Sequence, residues 1–175
     1  MNFDLIDKTI LQHEGERLKV YADTLGNPTV GIGHLIRPED KLQIGDTISQ
    51  DQSKEFFIKD RNTAVKDSLS IFPDLATFPG TVQAAVVSML FNLGKPKFST
   101  WTNTINLIKS HDWKKVSDYL NSSAFDKWRS QVGKRVSELA GLFQKGAAGT
   151  VIIAAIGLSG IAFILYQIFR NQNNA

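Results

Sequence analysis

The stretch that decides the fold runs His13-Glu14-Gly15, then Tyr21-Ala22-Asp23-Thr24-Leu25-Gly26-Asn27-Pro28-Thr29-Val30-Gly31-Ile32-Gly33-His34. Just before it, Phe3, Ile6 and Ile10 recur at helical spacing, which predicts a short helix to about His13 that stops near Gly15. Within it, Leu18-Lys19-Val20-Tyr21 and Thr29-Val30-Gly31-Ile32 read as two short strands about the turn residues Asp23, Gly26, Asn27 and Pro28. Two carboxylates, Glu14 and Asp23, and one hydroxyl, Thr29, are thereby set at a helix end and on the hairpin that follows.

A helix terminus and a facing hairpin can hold two groups on opposite sides of a bond. Glu14, shielded at the base of a cleft, suits the protonated acid, because burial disfavours its charged form. Asp23, on a polar turn, suits the base, and Thr29 offers a hydroxyl that can hold a water in line. The plainer alternative for a Glu and an Asp at such spacing is a pair of surface acids near a helix end.

Further along, Ser49 with Gln52 three residues on predicts a capping box opening a long helix, with Phe57, Ile58, Ala64, Val65, Leu69 and Phe72 inward and Pro73 closing it. A nearly continuous apolar helix from about Thr81 to Leu93 is expected to end at Gly94 and Pro96 and to form the centre of a helical lobe. Further helices are expected around Thr102–Ser110, Asp112–Asn121 and Lys134–Phe143, with no repeat or low-complexity segment between them. The class is α+β: a small sheet-bearing lobe, a long connecting helix, then a helical bundle. A groove between two such lobes suits an extended polymer.

Other chemistries meet obstacles. The chain has no cysteine, so it carries neither a disulfide nor a thiolate metal site. Gly31 and Gly33 begin a dinucleotide-type G-x-G, but Ile36 stands where a third glycine belongs. His13-Glu14 begins a zinc-protease motif, but Arg17 stands where its second histidine belongs. The net charge of +3 suits contact with an anionic cell envelope as well as it suits nucleic acid, and nucleic acid is not expected as a partner. Met1-Asn2-Phe3-Asp4-Leu5-Ile6-Asp7-Lys8 carries acids where a signal peptide has its apolar core, so no secretory signal is expected.

The quoted stretch closely resembles the phage-type lysozymes of glycoside hydrolase family 24, whose signature is E-G followed by Y-x-D-T-x-G-x-x-T-x-G-x-G-H. Every element of that signature is present in register. The resemblance implies a two-lobed lysozyme-like fold and a muramidase that cleaves the β-1,4 bond between N-acetylmuramic acid and N-acetylglucosamine by an inverting route, without a cofactor or metal. It implies Glu14 as general acid, Asp23 as the group assisting the attacking water, and Thr29 as the residue positioning that water. Gln83-Ala84-Ala85 and Phe91-Asn92-Leu93-Gly94 resemble the family's central helix and its end, which implies that Asn92 lines the saccharide groove. Lys134-Arg135-Val136 through Leu142-Phe143 resembles the closing helix, so the likeness covers about residues 1–145. It also implies that His34 packs behind the sheet and pairs with an acid on the long helix, with Asp60 the expected partner of an acid-sensitive, stabilising contact. Trp101, Trp113 and Trp128 are expected in the core rather than on sugars.

From Gly146 to Phe169 there are 24 residues without a charge, above the ~20 that span a bilayer as a helix. The expected organisation is therefore a catalytic domain over 1–145, a transmembrane helix over 146–170, with Tyr166 at an interface, and a polar tail over 171–175. Lys127, Arg129, Lys134, Arg135 and Lys145 precede the span and Arg170 follows it, which by charge bias places the domain on the cytoplasmic side. A virion enzyme inserted into a viral membrane or ejection conduit, and meeting peptidoglycan as the genome enters the host, reconciles that orientation with its substrate. The alternatives are a membrane-tethered endolysin at the host inner membrane, and a non-catalytic component of a virion or membrane-piercing complex. Virion or membrane proteins are then possible partners, besides peptidoglycan and the bilayer.

Overall fold

The computed structural model describes residues 1–23 and 26–149. Asn2 starts the first helix, α1 (Phe3–Glu14), by accepting the Leu5 backbone N–H on its side chain, and Ile6 and Ile10 bury one face. Gly15, at φ 66° and ψ −170°, stops it in a conformation that a side chain would resist. The chain then turns into a three-stranded antiparallel sheet, ordered β1 (Arg17–Ala22), β2 (Pro28–Gly31), β3 (His34–Leu35). Tyr21 pairs with Thr29, and Val30 with His34. The third strand was not among the two expected: at two residues it shows no alternation to read.

Ser49 and Gln52 form the expected reciprocal capping box at the head of α2 (Gln50–Ile71). This helix, about 33 Å long at 1.5 Å per residue, serves two cores. Phe56 packs on the small cluster of Val20, Val30 and Ile48 beneath the sheet, whereas Phe57, Ala64 and Val65 join the large core of the helical lobe. Ile58, expected inward, is 38 % exposed. It lies about 100° round the helix from Phe57, off the buried line of Ser53, Phe57, Ala64 and Ser68.

The helical lobe is built on α3 (Gly80–Phe98), whose residues from Val82 to Leu90 are all buried. As expected, its long limb breaks at Gly94, which sits at φ 69° and ψ 155°, and a short limb continues through Pro96 to Phe98. Around it lie α4 (Thr102–Lys109), α5 (Trp113–Asn121), α6 (Asp126–Val132) and α7, described over residues 135–149. The short α6 was not expected. Trp113 and Trp128 are buried, and Trp101 packs on the same core edge-on to Trp128, with ring centroids 4.8 Å apart.

The closing helix runs past the expected boundary at Lys145. Gly146 is buried, and a Cβ there would lie 2.5 Å from Val82 Cγ2 and 3.6 Å from Pro79 Cβ. Ala147 also packs on the core. The expected span from Gly146 to Phe169 falls outside the described residues from 150 onward. Among the described residues no helix is long and apolar enough to cross a membrane.

His34 lies behind the sheet, 1 % exposed, stacked on Phe56 with ring centroids 4.1 Å apart. Its Nδ1 is 2.6 Å from Asp60 Oδ2, the expected pairing, and its Nε2 is 3.1 Å from Asp40 Oδ2, a second carboxylate that was not expected. Burial works to lower the imidazole pKa, but the hydrogen bonds and charges of Asp60 and Asp40 outweigh it and leave the pKa raised above 6.5. For Asp40, burial works upward, but the Arg37 N–H and His34 outweigh it and hold the carboxyl below 3.8.

A raised histidine stabilises the fold fully below its unfolded pKa and loses that contribution as pH rises through the folded value. A depressed aspartate stabilises above its unfolded pKa and loses that contribution as pH falls through the folded value. His34→Asn should therefore destabilise most between pH 3.8 and 6.5, by about 3 kcal/mol. The difference from wild type in thermal unfolding should shrink on both the acid and the alkaline side. Combined with Asp60→Asn, the loss should be smaller than the sum of the single losses; additive losses would show that the two side chains are not coupled.

Candidate active site

Glu14 is the last residue of α1, so the stop at Gly15 places its side chain at the seam between the sheet lobe and the helical lobe. There a cleft of about 930 Å³ opens, lined by Glu14, Asp23, Thr29 and Asn92 together with Asn27 and Lys97. All four residues singled out from the sequence thus share one cavity, with Asp23 and Thr29 on the sheet side, Glu14 at the end of α1 and Asn92 on α3 just before its kink.

Asp23 sits on the turn after β1. The Asn27 backbone N–H donates to its Oδ1 at 2.8 Å, and the Asn27 side-chain amide donates to its Oδ2 at 3.2 Å. The Asp23 N–H in turn donates to the Asn27 carbonyl at 2.9 Å. Thr29, buried, donates its hydroxyl to that same carbonyl at 3.1 Å. Asn27 therefore ties the carboxylate and the hydroxyl into one unit, a role that spacing alone does not indicate although the residue stands in the signature stretch. Because the Thr29 proton is committed to a carbonyl, its oxygen is left to accept from a water.

Glu14 has a partner that no local sequence signal indicated. Arg135, at the start of α7, brings Nη1 to 2.9 Å from Glu14 Oε1, an ion contact off the line of a straight hydrogen bond, and donates through Nη2 to the His13 carbonyl at 2.8 Å. The guanidinium thus satisfies one of the open carbonyls at the end of α1 and sets a positive charge against the negative end of that helix. On the other side, Gly33 holds φ at +71°, and a Cβ there would lie 3.2 Å from Glu14 Oε2. Glu14 is therefore sheltered, as expected, but between a cation and a bare backbone rather than among apolar side chains. Among the described residues no cluster of three or more His, Cys, Asp or Glu could hold a metal ion.

A sheet lobe and a helical lobe flank a cleft that carries two carboxylates, the arrangement that suits a two-lobed hydrolase acting on an extended polymer. The chain matches the family model described as phage lysozyme over residues 11–148, and it belongs to that family. It is 30% identical to the probable T4-type lysozyme 2 of Dictyostelium discoideum, over 76% of this chain and 89% of that one. It is 32% identical to the endolysin of Acyrthosiphon pisum secondary endosymbiont phage 1, over 79% of this chain and 88% of that one. It is also 27% identical to the pre-baseplate central spike protein Gp5 of Enterobacteria phage T4, over 76% of this chain but 26% of that one. The protein is accordingly a lysozyme, a glycoside hydrolase whose substrate is peptidoglycan.

Gly33→Ala should cost about 1–2 kcal/mol of stability from the left-handed backbone alone. It should also lower wall lysis, because the new methyl displaces the Glu14 carboxylate. Gly45→Ala, at φ 101° with nothing within 4 Å of its Cβ and away from the cleft lining, carries backbone strain without that contact. Lysis at a temperature where both variants are folded should therefore fall in the first and hold in the second; an equal fall would remove the steric argument.

Proposed function

We propose that the enzyme cleaves the β-1,4 bond between N-acetylmuramic acid and N-acetylglucosamine with Glu14 as the acid that protonates the leaving oxygen, Asp23 as the base and Thr29 as the holder of the attacking water. The observation that carries this reading is the shared cleft, with Glu14 at the end of α1 and the Asp23–Asn27–Thr29 unit on the hairpin. A water accepted by the Thr29 oxygen and losing its proton to Asp23 would attack from the face opposite Glu14, which inverts the anomeric centre. Asn92, across the cleft on α3, supplies an amide that can orient a sugar substituent.

The uncharged run that continues past the described domain, residues 150–169, has the ~20 residues of a bilayer-spanning helix and supports a membrane anchor that follows the catalytic domain. The similarity to a protein named as a central spike supports a virion-associated enzyme, placed in a virion membrane or ejection apparatus and acting as the genome enters the host. The similarity to a protein named endolysin supports the second reading, a tethered enzyme of host lysis at the inner membrane. Detection of the protein in purified virions separates the two.

Glu14→Gln should abolish lysis of isolated walls, a loss of at least about 100-fold, with the fold retained, because the amide keeps the shape but cannot deliver a proton. Asp23→Ala and Thr29→Ala should lose activity through the water instead. Near-normal turnover in a folded Glu14→Gln enzyme would reject the assignment, and retention at the anomeric carbon, read by NMR of fresh product, would reject the inverting route.

The full-length protein should fractionate with membranes, resist extraction by salt or alkali, and require detergent for release. Truncation after Gly149, which spares the Gly146 and Ala147 contacts, should give an enzyme that needs no detergent and keeps turnover on isolated walls. Release of the full-length protein by salt alone would overturn the anchor.

A further inference from the structure

His13 is charge-capable, 4 % exposed, and takes no part in the acid, base and water roles above. It joins three helices. From α3, Ser88 Oγ lies 3.1 Å from Nδ1, and from α7, Glu138 Oε2 lies 3.0 Å from Nε2. Its own backbone carbonyl accepts Arg135 Nη2, and Arg135 is one helical turn before Glu138 on α7.

The tautomer follows from donor and acceptor chemistry. An ionised Glu138 can only accept, so Nε2 carries the proton and donates to it; Nδ1 is then the acceptor of the Ser88 hydroxyl. The groups around the ring agree with a neutral imidazole. Burial lowers its pKa below 6.5 and the Arg135 charge lowers it further, against the opposing pull of Glu138 and Glu14.

We propose that His13 is a positioning residue for the catalytic acid: by fixing Glu138, it sets the first turn of α7 so that Arg135 meets both the His13 carbonyl and Glu14. The inference rests on the reading of Glu14 as the acid. Arg135 touches Glu14 through one nitrogen and is steered by its helix, so the helix start needs a second point of attachment. Glu138, one turn further on, supplies it through the imidazole. Without that tie the guanidinium can still reach Glu14, but the carboxylate is no longer confined between Arg135 and Gly33.

Two conservative variants separate the ring's two bonds. His13→Gln carries an amide nitrogen out to about the position of Nε2 and can donate to Glu138. His13→Asn places an oxygen near Nδ1, keeps the Ser88 bond and falls short of Glu138. Glu138→Ala removes the same tie from the other side, at a half-exposed position where the substitution is safe for folding.

On soluble glycan strands, His13→Asn and Glu138→Ala should each lower kcat about tenfold with KM nearly unchanged, as expected when a reacting group is misplaced rather than substrate binding lost. The double variant should be no worse than either single one, because both cut one link. His13→Gln should recover most of kcat. Wild-type kcat in Glu138→Ala, a KM rise that accounts for the loss, additive losses in the double variant, or a His13→Gln enzyme as poor as His13→Asn would each overturn the proposal. Glu14→Gln is the control: if it stays active, the acid assignment fails, and if it is dead while His13→Asn and Glu138→Ala are unaffected, only the positioning role fails.

Discussion

The first helix is held at both ends by side chains that lie far away in sequence, and the cleft depends on that constraint. At its start, the Asn2 N–H donates to Gln83 Oε1 at 2.8 Å, and the Gln83 amide donates onward to the carbonyls of Ala76 and Phe78. At its end, Arg135 closes on the His13 carbonyl and on Glu14. Gln83 and Arg135 both belong to the helical lobe, so α1 is part of that lobe although the sheet follows it directly in the chain. Glu14 is therefore carried by the larger and better-packed body, while Asp23 and Thr29 are carried by the smaller one.

That division makes α2 the element that sets the distance across the site. Among the described residues, the sheet lobe's own cluster is Val20, Val30 and Ile48, too few apolar side chains to order its backbone. It relies on Phe56 and on the His34–Asp60 contact, both of which tie it to α2. A buried charged cluster is a weak source of net stability, because desolvation offsets most of the attraction, but it accepts few alternative geometries. His34, clamped by Asp60 from α2 and Asp40 from the loop after β3, fixes the register of the sheet against the long helix rather than merely adding burial.

Legibility in the sequence followed the range of the interactions. The capping box of Ser49 and Gln52, the break at Gly94 and the stop at Gly15 are each decided within a few residues, and each stands where the sequence places it. Glu14, Asp23, Thr29 and Asn92 share a cleft because a motif resemblance carried the long-range information that spacing lacks. The short α6 is not legible in the sequence because Asp126, Lys127 and Arg129 dilute the apolar pattern of Phe125, Trp128 and Val132 in a seven-residue helix. Arg135 and Glu138 were unreadable as site neighbours: 122 and 125 residues separate them from His13, and on their own helix they look like ordinary solvated charges.

The same helices determine where the chain leaves the domain relative to the cleft. Arg135 opens α7 beside Glu14, and eleven residues later Gly146 lies against Val82 near the start of α3. The opposite end of α3's long limb, from Leu90 to Gly94, lines the cleft. Val82 and Asn92 are ten residues apart in one helix, which sets them about 15 Å from each other along its axis. The chain thus leaves the described domain at the end of the central helix that is remote from the cleft. On the proposed anchoring, a tether attached there would hold the mouth away from its own point of attachment, so that an extended glycan could reach Glu14 and Asp23 without passing the anchoring surface.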